Sequence, residues 1–374
     1  MAIKRFCYFT VFGRKDQHLI RKQVRPLLDR GVDVTLVFAD GLPDETVDEI
    51  HFTSIPVRAH IGKYFTRLFT FQKLFYKKLK EIDADVYQSC DVDSLLVCLL
   101  LKRRGKKVVF NLLEEHPYTL YSKLHLPRII VRSIVSLWAG WMKYVFKRID
   151  SVFTVAPDIE NYLKRWGVKK HFILGNYPVV DESHEISLEE YLSRENRIVY
   201  FGAIYGISRQ EVFLKALSRF DKVNYLIAGD FGVGNYRERL ESMPEWNKVE
   251  FINRFPKSEL NSILSRCSIS NVLRDFKATG YPSGSYGVIK VFESMEAGLP
   301  IICANVPVYR EIMKQYQCGI LVNPNCEEEI YDAINYLVSN RKEAYEMGQN
   351  GRRAVIERYN WAMESVKYVS AIMD

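Results

Sequence analysis

Short apolar runs separated by helical stretches recur along this chain, and that alternation leaves few folds open to it. CYFTVF from Cys7, DVTLVFA from Asp33, ADVYQ from Ala84, KKVVFNLL from Lys106 and SVFTVA from Ser151 read as strands. Between them lie helical patterns over His18 to Asp29, Phe65 to Ile82 and Asp93 to Arg104. Strands apolar on both faces belong to parallel sheets, because helices must cover both sides to keep them from water. The polar stretch Phe172 to Asn196, around Pro178, interrupts the pattern as a linker does. Alternation then resumes with RIVYFGA from Arg197, NYLIAGD from Asn224, KVEFI from Lys248, ISNVLR from Ile269, PIICAN from Pro300 and GILVN from Gly319. The reading is an α/β protein of two Rossmann-like domains with parallel sheets, spanning 1–178 and 197–358, joined by a linker at 179–196. At 374 residues and 48% hydrophobic content the chain can bury two such cores. Ligands of open α/β sheets sit outside the carboxyl ends of the strands, so a cleft between the two domains is the expected site.

The segment YGVIKVFESMEAGLP, Tyr286 to Pro300, has the marks of a helix that holds a diphosphate. Ser283, Gly284 and Ser285 precede it and Gly287 follows, leaving backbone N–H groups open at a helix start, where the macrodipole favours an anion. Lys290 and Glu293 are three apart and share one face. A cation beside a phosphate and a carboxylate one turn on, within reach of sugar hydroxyls, suit a nucleoside diphosphate sugar. Gly298-Leu299-Pro300 then stops the helix.

This segment resembles the donor-binding helix of retaining glycosyltransferases of the two-Rossmann-domain (GT-B) type, family 4. Their motif reads Glu, seven residues, Glu, then small residues and Gly-x-Pro. Glu293, Lys290 and the AGLP tail match, whereas Ser285 stands where the family has its first Glu. The resemblance implies that Lys290 and Arg209 hold the diphosphate, Glu293 the ribose, and Gly287 and Val288 the phosphate through their backbone, with Ser285 and Tyr286 facing the donor sugar. Gly202 ends the strand RIVYFG where the family contacts the diphosphate, and Ala203 replaces the family's Arg. Arg254 and Phe255, in FINRFP, occupy the position of the nucleotide-base contact. The glycines of AGDFGVG, from Ala228, lack a Walker Lys-Ser/Thr pair and read as turn glycines.

The N-terminal half resembles a bacterial surface-polysaccharide branch of the same family. FTVFGRKDQHLIRKQVRPLLDRGVDVTLVFAD looks like its opening strand, acceptor loop and first helix, CDVDSLL like its His-Asp-x-Asp-Leu, and FNLLEEHP like its Tyr-Asp-x-His-Glu-x-Tyr-Pro. By this likeness Gly13, Asp91, Glu114 and Glu115 line the acceptor side, with Glu114 beside Lys290 and Arg209 among the catalytic candidates. Cys90, Asn111 and Leu113 replace a His, an Asp and a His of the branch. The last helix, 359–374, is expected to cross back onto the N-terminal domain, as in the family. Retaining transfer in this family is thought to be front-face substitution, with the departing diphosphate helping to deprotonate the acceptor; no metal or cofactor is expected.

The net charge of +8 is concentrated rather than spread. Residues 58–80 interleave Lys and Arg with Tyr64, Phe65, Phe69, Phe71, Phe75 and Tyr76; residues 128–148 set Arg128, Arg132, Lys143 and Lys147 against Ile130, Ile134, Leu137, Trp138, Trp141 and Val145. Both suit an anionic inner-leaflet membrane surface and equally a solvated basic face over a domain core. The charge-free run Ser133 to Met142 is too short to span a bilayer. No nucleic-acid-binding module accompanies the charge. Seven cysteines without a CxxC pair suit a reducing cytosol, and the strand-like KRFCYFTVFG does not read as a secretory signal.

Taken together these features predict a cytoplasmic, membrane-peripheral transferase. It would move a sugar with retention from a UDP- or GDP-sugar to a saccharide or lipid-linked acceptor in bacterial surface polysaccharide synthesis. A second reading is a catalytically silent relative acting as a binding or scaffold subunit, which the replacements at Cys90, Asn111, Leu113, Ala203 and Ser285 favour and the retained Lys290 and Glu293 oppose. A sugar-nucleotide epimerase of the same fold is a third.

Overall fold

The structure is a computed structural model describing residues 3–14, 18–56, 70–113, 127–181 and 185–374. It divides into two compact units, one of residues up to Gly175 plus Glu364–Asp374, the other Asn176–Met363. The crossing back of the last helix, Trp361–Met373, thus falls at residue 364. Glu364 accepts from the Gly175 amide at 2.8 Å, and Tyr368 is fully buried with its hydroxyl donating to Gln88 at 2.8 Å.

In the first unit the strands β1 (Arg5–Phe9), β2 (Asp33–Phe38), β3 (Glu45–Val47), β4 (Ile50–Ser54), β5 (Val86–Ser89), β6 (Lys107–Leu112), β7 (Ser151–Thr154) and β8 (His171–Ile173) form one sheet. Its order is β3-β4-β2-β1-β5-β6-β7-β8, parallel throughout except for β3 against β4. The sequence reading missed β3, β4 and β8. All three lie towards the sheet's edges, where ETV and HFI carry exposed or half-buried residues rather than a continuous apolar run.

The second unit carries β9 (Arg197–Phe201), β10 (Asn224–Ala228), β11 (Val249–Ile252), β12 (Ile269–Asn271), β13 (Ile301–Ala304) and β14 (Gly319–Val322), all parallel, in the order β11-β10-β9-β12-β13-β14. Alternate residues feed opposite layers. Ile198 and Tyr200 join Phe213, Leu217, Ile330 and Ile334 on one face, whereas Val199 and Phe201 join Leu260, Ile263 and Leu264 on the other. The strand order reverses between β9 and β12, the switch point outside which ligands of such sheets lie.

The stretch expected to be a linker is not wholly one. Ser187 caps a short helix, Leu188–Ser193, by accepting from the Glu190 amide at 3.1 Å. Tyr191 on that helix is buried and donates to the Ser268 carbonyl at 2.8 Å, so one amphipathic turn within a polar stretch suffices to dock it.

Candidate functional site: the carboxyl edge of the second sheet

The helix of the donor motif runs over Ile289–Glu296. It ends in a Schellman motif: Gly298 adopts φ +67°, its amide donates to Met295 at 3.0 Å, and the Leu299 amide reaches back to Ser294 at 3.1 Å. No side chain caps its start. The preceding loop is fixed instead by Ser285, whose hydroxyl accepts from the Gly287 amide at 3.0 Å, and by the Asn176 amide donating to the Tyr286 carbonyl at 3.0 Å. The Tyr286 ring meets Tyr177 edge to face, and burial raises its hydroxyl pKa. Val288 is the N-terminal flank of the helix.

Lys290 is brought to the end of β9. Its ammonium lies 3.8 Å from the centre of the Tyr200 ring, a cation–π contact, and 3.7 Å from where a side chain on Gly202 would start. Among the described residues no carboxylate pairs with it. Gly202 has φ +88°, and a side chain on Gly229 would strike the Gly202 carbonyl, so the ends of β9 and β10 touch through glycine backbone. Of the glycines of AGDFGVG, Gly229 serves this approach, while Gly232 lies against the Tyr205 ring. Tyr200 donates to the Ala203 carbonyl at 3.0 Å, closing the turn where the family's Arg is missing.

Glu293, 7% exposed, faces the loop after β11, where it pairs with Lys257. Arg209 turns to Asp275, with Nη2 and Nε at 2.6 and 3.2 Å from one carboxylate oxygen. Asp275 also accepts from Asn325 and from the Ala278 amide, both at 3.1 Å. Burial works to raise the Asp275 carboxyl, but these donors, Arg209 first, outweigh it and hold the pKa below the ordinary value. One acid thereby ties together the loops after β9, β12 and β14. Lys257, Asp275 and Asn325 were missed from sequence, although a lone acid closing the apolar strand ISNVLRD was a visible signal. Arg254 is exposed, with an ion pair to Asp230 at 3.7 Å, while Phe255 packs against the layer of Leu260 and Ile263.

In the first unit, Asp91 is buried and accepts from the Val11 amide at 2.7 Å, bracing the loop that carries Gly13. Gly13 lies against Asp40, which with Glu45 binds the guanidinium of Arg14. Cys90 is half-buried with its sulfur 3.8 Å from Asp91. Asn111, on β6, is wholly internal and donates to Gln23 at 3.0 Å; Gln23 also accepts from Gln88 at 3.1 Å. Its replacement of an Asp therefore belongs to a buried amide network. Glu114 and Glu115 lie outside the described residues.

The two basic aromatic segments differ. Of 58–80, residues 58–69 lie outside the described residues; the rest turns Phe71, Phe75 and Leu79 into the core, with Phe75 against Phe9, and leaves Leu74 and Tyr76 half-buried. The helix Arg128–Phe146 instead buries Val131, Val135, Met142, Val145 and Phe146 and exposes Ile129, Ile130, Ile134 and Leu137, with Ile129 and Leu137 about three-quarters exposed. Val145 thus belongs to the inward face and not to the stripe assigned to it from the helical wheel. By length and composition the whole 19-residue helix is apolar enough to cross a membrane, with 28% of its apolar window buried, although its charge-free run alone is too short.

Residues 18–174 match the Glycosyl transferase 4-like domain and residues 185–354 the Glycosyl transferases group 1 domain. The sheet order, the two matches and the solved neighbours place this chain in the GT-B glycosyltransferases. Its fold is that of sucrose-phosphate synthase from Thermosynechococcus elongatus (TM-score 0.74, 17% identity, 98% of each chain) and of Anabaena HepE in complex with UDP and glucose (TM-score 0.71, 12% identity, 98% of each chain). A Campylobacter jejuni relative, an α-1,4-N-acetyl-D-galactosaminyltransferase acting on a GalNAc-GalNAc-diNAcBac-PP-undecaprenol, is 26% identical over 216 residues, 55% of each chain. The match thus spans about half the length of that curated relative.

Proposed function

We propose that this chain transfers a sugar, with retention, from a UDP- or GDP-sugar to a saccharide or lipid-linked acceptor in bacterial surface polysaccharide assembly. The observation that carries the reading is Lys290, a cation without a carboxylate partner among the described residues, beside a glycine strand end and an uncapped helix start at the switch point of the sheet. The leaving diphosphate supplies the missing anion. Lys290 and the first helix amides stabilise charge as it develops there, an electrostatic contribution that often dominates such catalysis. Arg209 adds charge from its Asp275 anchor, and Glu293 receives the ribose. The solved neighbour with UDP and glucose and the relative named for an undecaprenol-linked acceptor support the donor and acceptor classes.

The outward stripe of Ile130, Ile134 and Leu137, flanked by Arg128, Arg132 and Lys143, supports an interfacial role at an anionic membrane that presents a lipid-linked acceptor. Thermal unfolding with UDP, GDP and their sugar conjugates tests the donor reading. A nucleotide at ~100 times its dissociation constant adds about 2.7 kcal/mol of stability, a shift that Glu293→Ala removes. No response from the wild type to either nucleotide would move the silent scaffold reading ahead. Flotation with vesicles with and without anionic lipid tests the membrane reading, and lipid-independent behaviour at low salt would end it.

A further inference from the structure

Glu293 and Glu296 stand three residues apart on one helix, and both are influenced by the same cation. Glu293 is buried and its ion pair is to Lys257, the first residue of the turn Lys257–Glu259 that follows β11. Glu296 accepts from the Asp181 amide at 2.9 Å. Burial pushes the Glu296 carboxyl up and the charge of Glu293 adds to the push, while Lys257 opposes it. Like charges this close repel each other, so a cation paired with Glu293 holds its side chain where repulsion from Glu296 would otherwise displace it. A carboxylate presents two acceptor oxygens, and two acceptors are what a pair of neighbouring sugar hydroxyls requires.

We propose that Lys257 is a positioning residue for nucleoside recognition: its ion pair fixes the Glu293 carboxylate in place, ready to accept both hydroxyls of a ribose, and so sets the preference for ribonucleotides over 2′-deoxynucleotides. This rests on the donor-site reading above. Lys257 is half exposed and its stem is flexible, so the ammonium retains its hold on one carboxylate oxygen or withdraws to the rim as the ribose arrives.

The test is calorimetric titration of UDP, GDP and their 2′-deoxy counterparts into the full chain as wild type, Lys257→Met, Lys257→Arg, Glu293→Gln and the Lys257→Met/Glu293→Gln double variant. Wild type should prefer the ribonucleotide. Lys257→Met should lose about tenfold in affinity for it, the value of one charge-assisted hydrogen bond, and little for the 2′-deoxy form. Lys257→Arg should recover most of the loss, and in the Glu293→Gln background the Met change should cost nothing further. Ribonucleotide binding by Lys257→Met that equals or exceeds wild type would show that the lysine only occupies an idle carboxylate. An equal loss on both sugars would show a general charge effect; either result overturns the proposal alone. If wild type binds no nucleotide, the donor-site reading falls and takes this inference with it.

Discussion

Both units wind their parallel strands outward from a central pair, β1 and β5 in one, β9 and β12 in the other, yet the carboxyl edges of the two sheets differ chemically. In the first unit, Asp91, Arg14, Asp40 and Glu45 hold the fold. Asp91 braces the Val11 amide, and Arg14 is enclosed by Asp40 and Glu45. In the second, Arg209 and Lys257 are paired with buried acids, but Lys290 stands on an aromatic face with no acid beside it among the described residues. The same topology thus leaves a carboxyl-edge cation without an acid among the described residues in one unit only, and the proposed diphosphate site rests on that difference.

The largest expected effect comes from removing that cation. Lys290→Ala should cut turnover about 100- to 1,000-fold, the scale of removing one preorganised donor from developing charge, and weaken nucleotide binding, while leaving the melting temperature of the empty protein nearly unchanged. Steady-state kinetics beside a thermal scan checks both. A tenfold loss or less would mean that Arg209 carries the diphosphate.

Next comes the other unit. Asn111→Asp restores the acid of the family's pattern but places a carboxylate against the Gln23 oxygen, which already accepts from Gln88. Turning the Gln23 amide does not help, because Gln88 is itself held in orientation by Tyr368. A buried charge with no partner should cost about 3 kcal/mol, or about 10 °C in a unit of this size. Near-wild-type melting would show that the network can rearrange.

This contrast marks where the sequence was legible. All six strands of the second sheet were read, four of them largely buried runs and β11 and β14 mostly half-buried, and spacing placed Lys290 and Glu293 on the helix that carries them. What could not be read was what each charge faces. Arg209 and Asp275 are 66 residues apart, Lys257 and Glu293 36 apart, and only the return of successive strands to one edge brings them together. Nor does a residue's identity reveal its direction: Asn111 was counted as a changed site residue, yet it is buried against Gln23 on the helix His18–Leu28. The helix Arg128–Phe146 misled in a third way, because a wheel with apolar residues over two arcs does not say which arc the core takes.

A smaller effect sharpens the picture at Asp275. Because its folded pKa lies below the ordinary value, its contribution to stability is fully present above the ordinary carboxylate range near ~4 and is lost as pH falls through the folded value. Asp275→Asn should therefore lower the melting temperature most in the neutral region and least in acid, where the wild-type carboxyl has already lost its contribution, and so flatten the acid side of a plot of melting temperature against pH. It should also weaken nucleotide binding by up to about tenfold, through loss of a charged hydrogen bond that holds Arg209. Tighter binding in the variant would make Asp275 a competitor for Arg209 and not its anchor.

The smallest expected effect concerns Leu113, half-buried just beyond β6, where the family pattern has His. If the leaving diphosphate itself helps deprotonate the acceptor, a proton-exchanging side chain in the first unit is an aid and not a requirement. Leu113→His should then raise turnover no more than about fivefold, roughly 1 kcal/mol in the barrier, without changing donor KM, since the donor charges lie on the second sheet. The gain should appear above the histidine pKa, near ~6.5 in the absence of perturbation, where the neutral ring can accept a proton. A gain of 100-fold or more would mean that general base chemistry in the first unit limits the rate. The charge at the second sheet would then be a binding device, with turnover set by the first unit.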